Sequence, residues 1–134
     1  MKKTLNLTNN VDQVPLLAEW IEGIGEEAEL PPDKVFQINL ALEEAVVNVM
    51  NYAYPEQTES PIVVSFDDTT GALQFIIDDE GLAFDPTQVE EPDITLSAEE
   101  RPIGGLGIML VRQFASDISY QRTTDGHNRL TITF

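Results

Sequence analysis

The stretch EEAVVNVMNYAY, residues 43–54, sets Glu44, Asn48 and Asn51 into a run otherwise dominated by Ala, Val, Met and Tyr. At about 100° per residue these three positions fall within roughly 60° of one another on a helix and form one polar stripe. Ile38, Leu42, Ala45, Val49 and Ala53 supply an apolar stripe, which Val46 and Met50 widen. A helix of this kind is mostly buried, and its narrow polar stripe faces either water or a ligand. Pro31, Pro32 and Asp33 announce its start, with Asp33 as N-cap, and the pattern runs to Tyr54 before Pro55 stops it.

Upstream, TLNLT at 4–8 alternates Leu5 and Leu7 with polar residues, the period of a half-buried strand. A first helix is expected from Asp12 as N-cap, with Pro15 in its first turn and Val14, Leu17, Ile21 and Ile24 at helical spacing until the pattern fades near Gly25. Downstream, PIVVSF at 61–66 and LQFIIDD at 73–79 read as an antiparallel hairpin joined through Asp67, Asp68, Thr69, Thr70 and Gly71. Residues 85–103 carry three prolines and no sustained period, which marks a long loop. GGLGIMLVRQFAS then reads as a glycine turn feeding a helix, and DISYQR and RLTITF as a closing pair of strands around Asp125 and Gly126. This order of elements predicts an α+β fold, with helices on one face of a largely antiparallel sheet.

At 134 residues the chain has the length of one domain with a proper core, and 42% hydrophobic and 23% charged residues are the composition of a soluble globular protein. No apolar run approaches a membrane span, and MKKTLNLTNN lacks the apolar core of a signal peptide, so a cytoplasmic location is expected, with no membrane partner. The absence of cysteine removes disulfides, thiol nucleophiles and cysteine metal sites, and the single His127 cannot supply a histidine cluster. A formal charge of −17, from 24 acids against 7 basic residues, would repel a phosphate backbone and argues against direct nucleic-acid binding. Nothing basic lies between Lys34 and Arg101, so a nucleotide would have to be neutralised by backbone N–H groups, a divalent cation and C-terminal arginines.

The glycines invite comparison with phosphate cradles. No glycine is followed by lysine, which rules out a P-loop, and Leu110 stands where a dinucleotide fingerprint that began with Gly105 and Gly107 would need its third glycine. What remains is a helix opened by Gly104, Gly105 and Gly107, either a tight loop entry or a place where backbone N–H groups approach an anion. DDEGLAFD at 78–85 likewise has two readings. One is a solvated strand end; in the other Asp79 accepts a hydrogen bond from an exocyclic amine and Gly81 lets a planar ring lie close.

A helix with Glu44 and Asn48, then a strand ending in Asp79-Glu80-Gly81, then a loop ending in Gly104-Gly105-Leu106-Gly107, resembles the N box, G1 box and G2 box of the Bergerat-type (GHKL) ATP-binding superfamily. Within it, the chain is most similar to the bacterial anti-sigma factor serine/threonine kinases of the RsbW and SpoIIAB type. The resemblance implies a two-layer α/β sandwich with a mixed, largely antiparallel sheet over residues 1–134, binding ATP and Mg²⁺. It implies that Asn48 ligates Mg²⁺, that Glu44 is the general base, that Asp79 reads the adenine amine and that Gly81 makes room for the ring. Gly104, Gly105, Leu106 and Gly107 would then meet phosphates, and Arg101 would be a lid arginine near the terminal phosphate. Asn51 receives no role beyond polar lining.

The implied activity is phosphorylation of an anti-anti-sigma protein of the STAS type, with sequestration of a sigma factor; a homodimer is compatible with the family. Two departures stand out: Ala83 replaces a second G1 glycine of the wider superfamily, and its closing Gly-Thr pair appears as His127-Asn128-Arg129-Leu130-Thr131. His127 is alone in a turn, so a phosphoacceptor helix and with it a complete histidine kinase are excluded. The alternative function is a nucleotide-responsive binding module without phosphotransfer.

Overall fold

The computed structural model describes residues 1–54, 59–88 and 108–134. Five strands, β1 (Lys2–Thr8), β2 (Pro61–Asp67), β3 (Gln74–Asp79), β4 (Asp117–Arg122) and β5 (Asn128–Thr133), form one sheet in the order β1-β2-β3-β5-β4. All of its pairings are antiparallel, so the mixed pairing implied by the resemblance is absent among the described strands. The helices are α1 (Val14–Glu27), α2 (Pro32–Asn48) and α3 (Met109–Phe114).

Alternation along the strands decides which face of the sheet is covered. In β2, Ile62, Val64 and Phe66 are fully buried while Val63 and Ser65 are half-buried, and β3 repeats this with Phe75 and Ile77. The inner row continues through Leu130 and Ile132 of β5 and joins Leu17, Ile21 and Ile24 of α1 and Ile38, Leu42, Ala45 and Val46 of α2 in one core. Trp20 of α1 meets Phe75 edge-on, with ring centroids 6.0 Å apart. Each such aliphatic side chain stabilises the fold by about 1.5–3 kcal/mol on burial. Where α1 crosses α2, a Cβ on Gly25 would stand 2.5 Å from Cγ2 of Val35, so the absent side chain is what lets the helices meet.

Helix starts differ from the sequence-based expectation. Asn10, rather than Asp12, caps the first helical segment: its side chain accepts from the Asp12 N–H at 2.9 Å, and a 3₁₀ turn (Val11–Gln13) leads into α1. The extended backbone of Pro31 occupies the N-cap position of α2, with no side-chain cap, and Asp33 lies inside the first turn. There its negative charge still favours the helix N-terminus. Proline at the first helical position needs no N–H, and this explains why α2 begins two residues earlier than a side-chain cap at Asp33 would set it.

Candidate functional site

The polar stripe of α2 does not continue as a regular helix. After Asn48 the backbone widens into a π turn (Val49–Ala53), a local insertion that recurs at functional sites. Glu44 and Asn48, one regular turn apart, keep a common face, with Asn48 5% exposed and Glu44 half-buried. Asn51 falls within the widened turn and is exposed. The three-residue stripe is therefore a two-residue one.

The far end of the π turn grips the turn that follows β3. The Ala53 carbonyl accepts from the Leu82 N–H at 2.8 Å, and a Cβ on Gly81 would stand 2.4 Å from that same oxygen. Glycine at 81 is thus required for close approach of helix end and turn. The buried Tyr54 hydroxyl donates to the Pro61 carbonyl at 2.9 Å and accepts from the Glu80 N–H at 2.8 Å, tying together α2, β2 and the turn. Tyr52 stacks on Phe84 with centroids 5.4 Å apart.

Asp79 ends β3 and is 2% exposed. Its Oδ1 accepts from the Gly81 N–H at 2.8 Å and from Asn128 Nδ2 at 2.9 Å; among the described residues no donor reaches Oδ2. Burial pushes the carboxyl above its ordinary value, and the Asn128 and Gly81 hydrogen bonds oppose that shift. Asn128 faces Asp79 directly across the β3–β5 ladder.

At the other end of the stripe, Glu44 Oε1 accepts from the backbone N–H groups of Leu110 at 2.9 Å and Val111 at 3.3 Å, so this carboxylate caps the start of α3. Arg112 on α3 donates to the Thr87 carbonyl at 2.5 Å. Arg101, Gly104, Gly105, Leu106 and Gly107 lie outside the described residues. From Glu44 to Ala53 the helix runs roughly 13 Å at about 1.5 Å per residue. The turn after Asp79 thus meets the end of the widened helix, and Glu44 and Asn48 lie nine and five residues before Ala53 along it.

Residue reasoning overlooked Asn128 and Tyr54. A signal for Asn128 existed, since asparagine is depleted in strands, but its partner follows from strand register alone. Tyr54 reads as the last apolar residue of a helix, and nothing local shows where its hydroxyl goes.

The sequence profile of the histidine kinase-like ATPase domain matches residues 7–134. The chain belongs to this family. It is similar to the serine/threonine-protein kinase BtrW of Bordetella bronchiseptica, 32% identical over 114 residues, which is 85% of this chain and 80% of that protein. It is also similar to the serine-protein kinase RsbW of Listeria monocytogenes, 26% identical over 121 residues, 87% of this chain and 77% of the relative. Among solved structures, the RsbU and RsbW domains of Rv1364c from Mycobacterium tuberculosis superpose with a TM-score of 0.68 at 14% identity, covering 99% of this chain and 32% of that one. The SiaB–SiaC complex from Pseudomonas aeruginosa gives a TM-score of 0.58 at 14% identity, covering 98% and 88%. These two show a shared fold.

A histidine kinase-like ATPase domain implies ATP, and the residues present fit it. The buried Asp79 carboxylate with Oδ1 occupied and Oδ2 open suits a nucleobase amine, and the amide of Asn48 is an oxygen donor of the kind Mg²⁺ takes beside phosphates. Among the described residues no helix is long and apolar enough to cross a membrane.

Proposed function

We propose that residues 1–134 form one ATP-binding kinase-like domain, a cytoplasmic anti-sigma regulatory factor that phosphorylates a serine of an anti-anti-sigma protein and sequesters a sigma factor. The observation that carries this reading is the contact of the turn after Asp79 with the end of the helix whose earlier turns bear Glu44 and Asn48. The curated kinases similar over most of the chain support the reaction class. Asp79 accepts from the adenine amine, and Gly81 keeps the turn flat against the helix end. Mg²⁺, when bound, neutralises phosphate charge, and Asn48 offers it an amide oxygen. Glu44 takes the hydroxyl proton as the serine oxygen forms its bond to the terminal phosphorus and the bond to the ADP oxygen breaks. Phosphates meet the backbone of Gly104, Gly105, Leu106 and Gly107, with Arg101 near the terminal one.

The deciding experiment is transfer of labelled phosphate from ATP to a candidate anti-anti-sigma protein. Incorporation that is lost in Glu44→Gln supports the kinase. A second reading, a nucleotide-responsive binding module without transfer, is favoured by the engagement of the Glu44 carboxylate at the start of α3, a role that needs no proton abstraction. It predicts no incorporation in the unmutated protein and partner binding that follows ATP occupancy.

A further inference from the structure

Asn128 is 4% exposed and makes four side-chain hydrogen bonds. Their partners fix the orientation of its amide without ambiguity. The Asp79 carboxylate (2.9 Å) and the Leu82 carbonyl (2.8 Å) can only accept, so the atom facing them is Nδ2. The Phe84 N–H (3.1 Å) can only donate, so the atom facing it is Oδ1, and the Tyr120 hydroxyl, 2.5 Å from that oxygen, must donate as well. Both donors and both acceptor positions of the amide are filled.

One buried side chain therefore does two things. It saturates Oδ1 of Asp79 together with the Gly81 N–H, and it pins the turn through Leu82 and Phe84. A rotation of the Asp79 carboxylate would break these bonds, so Oδ2 is the oxygen left toward a ligand, and as part of an ionised group it can only accept. Adenine carries an amine at its six position, a donor that matches; guanine carries a carbonyl there, which would meet Oδ2 acceptor to acceptor.

We propose that Asn128 is the positioning residue that sets base specificity, holding Asp79 as a fixed, acceptor-only carboxylate that selects a 6-amino purine over a 6-oxo purine. This rests on the assignment of Asp79 to the base. Asn128→Asp tests it, because it keeps the shape and the acceptors for Phe84 and Tyr120 while setting two carboxylates about 3 Å apart, a pair that retains a proton between them. In both Asn128 variants Asp79 loses the donor that holds its Oδ1 and favours its charged form. A carboxyl that takes up a proton and is no longer held can turn its O–H toward the ligand, and a 6-carbonyl is then admitted.

The measurement is the ratio of ATP to GTP affinity by calorimetric titration, from which any loss of folded protein cancels, in the unmutated chain, Asn128→Asp, Asn128→Ala and Asp79→Asn. The ratio is expected to fall about tenfold or more in both Asn128 variants, the equivalent of one hydrogen bond to a charged group. An unchanged ratio in both, with a collapsed ratio in Asp79→Asn, overturns the role of Asn128 and leaves Asp79 as the base contact. Unchanged affinity and ratio in Asp79→Asn overturn both.

Discussion

Two carboxylates carry the proposed site, and each has a structural task beside the chemical one proposed for it. Asp79 is raised above its ordinary 3.8 chiefly by burial. A group raised in the folded state contributes stability that is present below 3.8 and lost as pH rises through the higher folded value, so at neutral pH the buried anion weighs against folding. Asp79→Asn keeps an oxygen for Gly81 and Asn128 and removes the charge. It should melt at or above the unmutated protein at pH 7, with the difference shrinking as pH falls toward 3.8, while ATP affinity drops roughly ten- to a hundredfold. A lower melting temperature at pH 7 would contradict the burial effect. For Glu44, alanine removes the proposed base and the cap together, whereas glutamine keeps an acceptor for Leu110 and Val111. Phosphate transfer should fall by roughly 10² to 10⁴ in both variants, and stability by about 0.5–2 kcal/mol in the alanine variant, with much of that loss spared in the glutamine one. Denaturant titration beside single-turnover transfer separates the two effects.

At the scale of elements, the π turn is the joint of the site. By widening the helix after Asn48 it brings the Ala53 carbonyl against Gly81 and the Tyr54 hydroxyl between β2 and the turn after β3. Tyr54→Phe removes one donor and one acceptor from a buried place without changing its volume. It should cost about 1–3 kcal/mol in unfolding free energy and raise KM for ATP more than it lowers kcat, since the turn that carries Asp79 is loosened while Glu44 is untouched. Equal loss in kcat with KM unchanged would mean that the turn is held by other contacts. Strand pairs were legible from residue alternation because each covered face is apolar on every second residue, as in Ile62, Val64 and Phe66. The helix caps were not, because Asp33 and Pro31 both satisfy local rules and the packing of Gly25 on Val35 fixes the path of the chain between α1 and α2.

For the whole molecule, charge governs how a nucleotide can approach. The formal charge is −17, and among the described residues two arginines beside the Asp79 turn are already engaged: Arg122 donates to the Gly81 carbonyl at 2.9 Å and Arg129 reaches Asp78 at 3.1 Å. A triphosphate brought to such a surface needs its charge reduced beforehand. ATP affinity should therefore drop by about tenfold or more when EDTA replaces Mg²⁺, measured by calorimetric titration at constant ionic strength. Equal affinity in both would remove the metal role of Asn48.

By itself the sequence determined the α+β order, the inner rows of the sheet, the apolar stripe of α2 and the likeness of three short motifs to an ATP-binding superfamily, because each is written within a few consecutive residues or one periodic run. Tertiary structure alone decided that Asn51 leaves the polar stripe, that Gly81 faces the Ala53 carbonyl, that Glu44 caps α3 and that Asn128 holds Asp79. The physical reason is separation along the chain: Asn128 meets Asp79 across 49 positions and Glu44 meets Leu110 across 66. Such hydrogen bonds exist once strand register and helix packing have been set by the core.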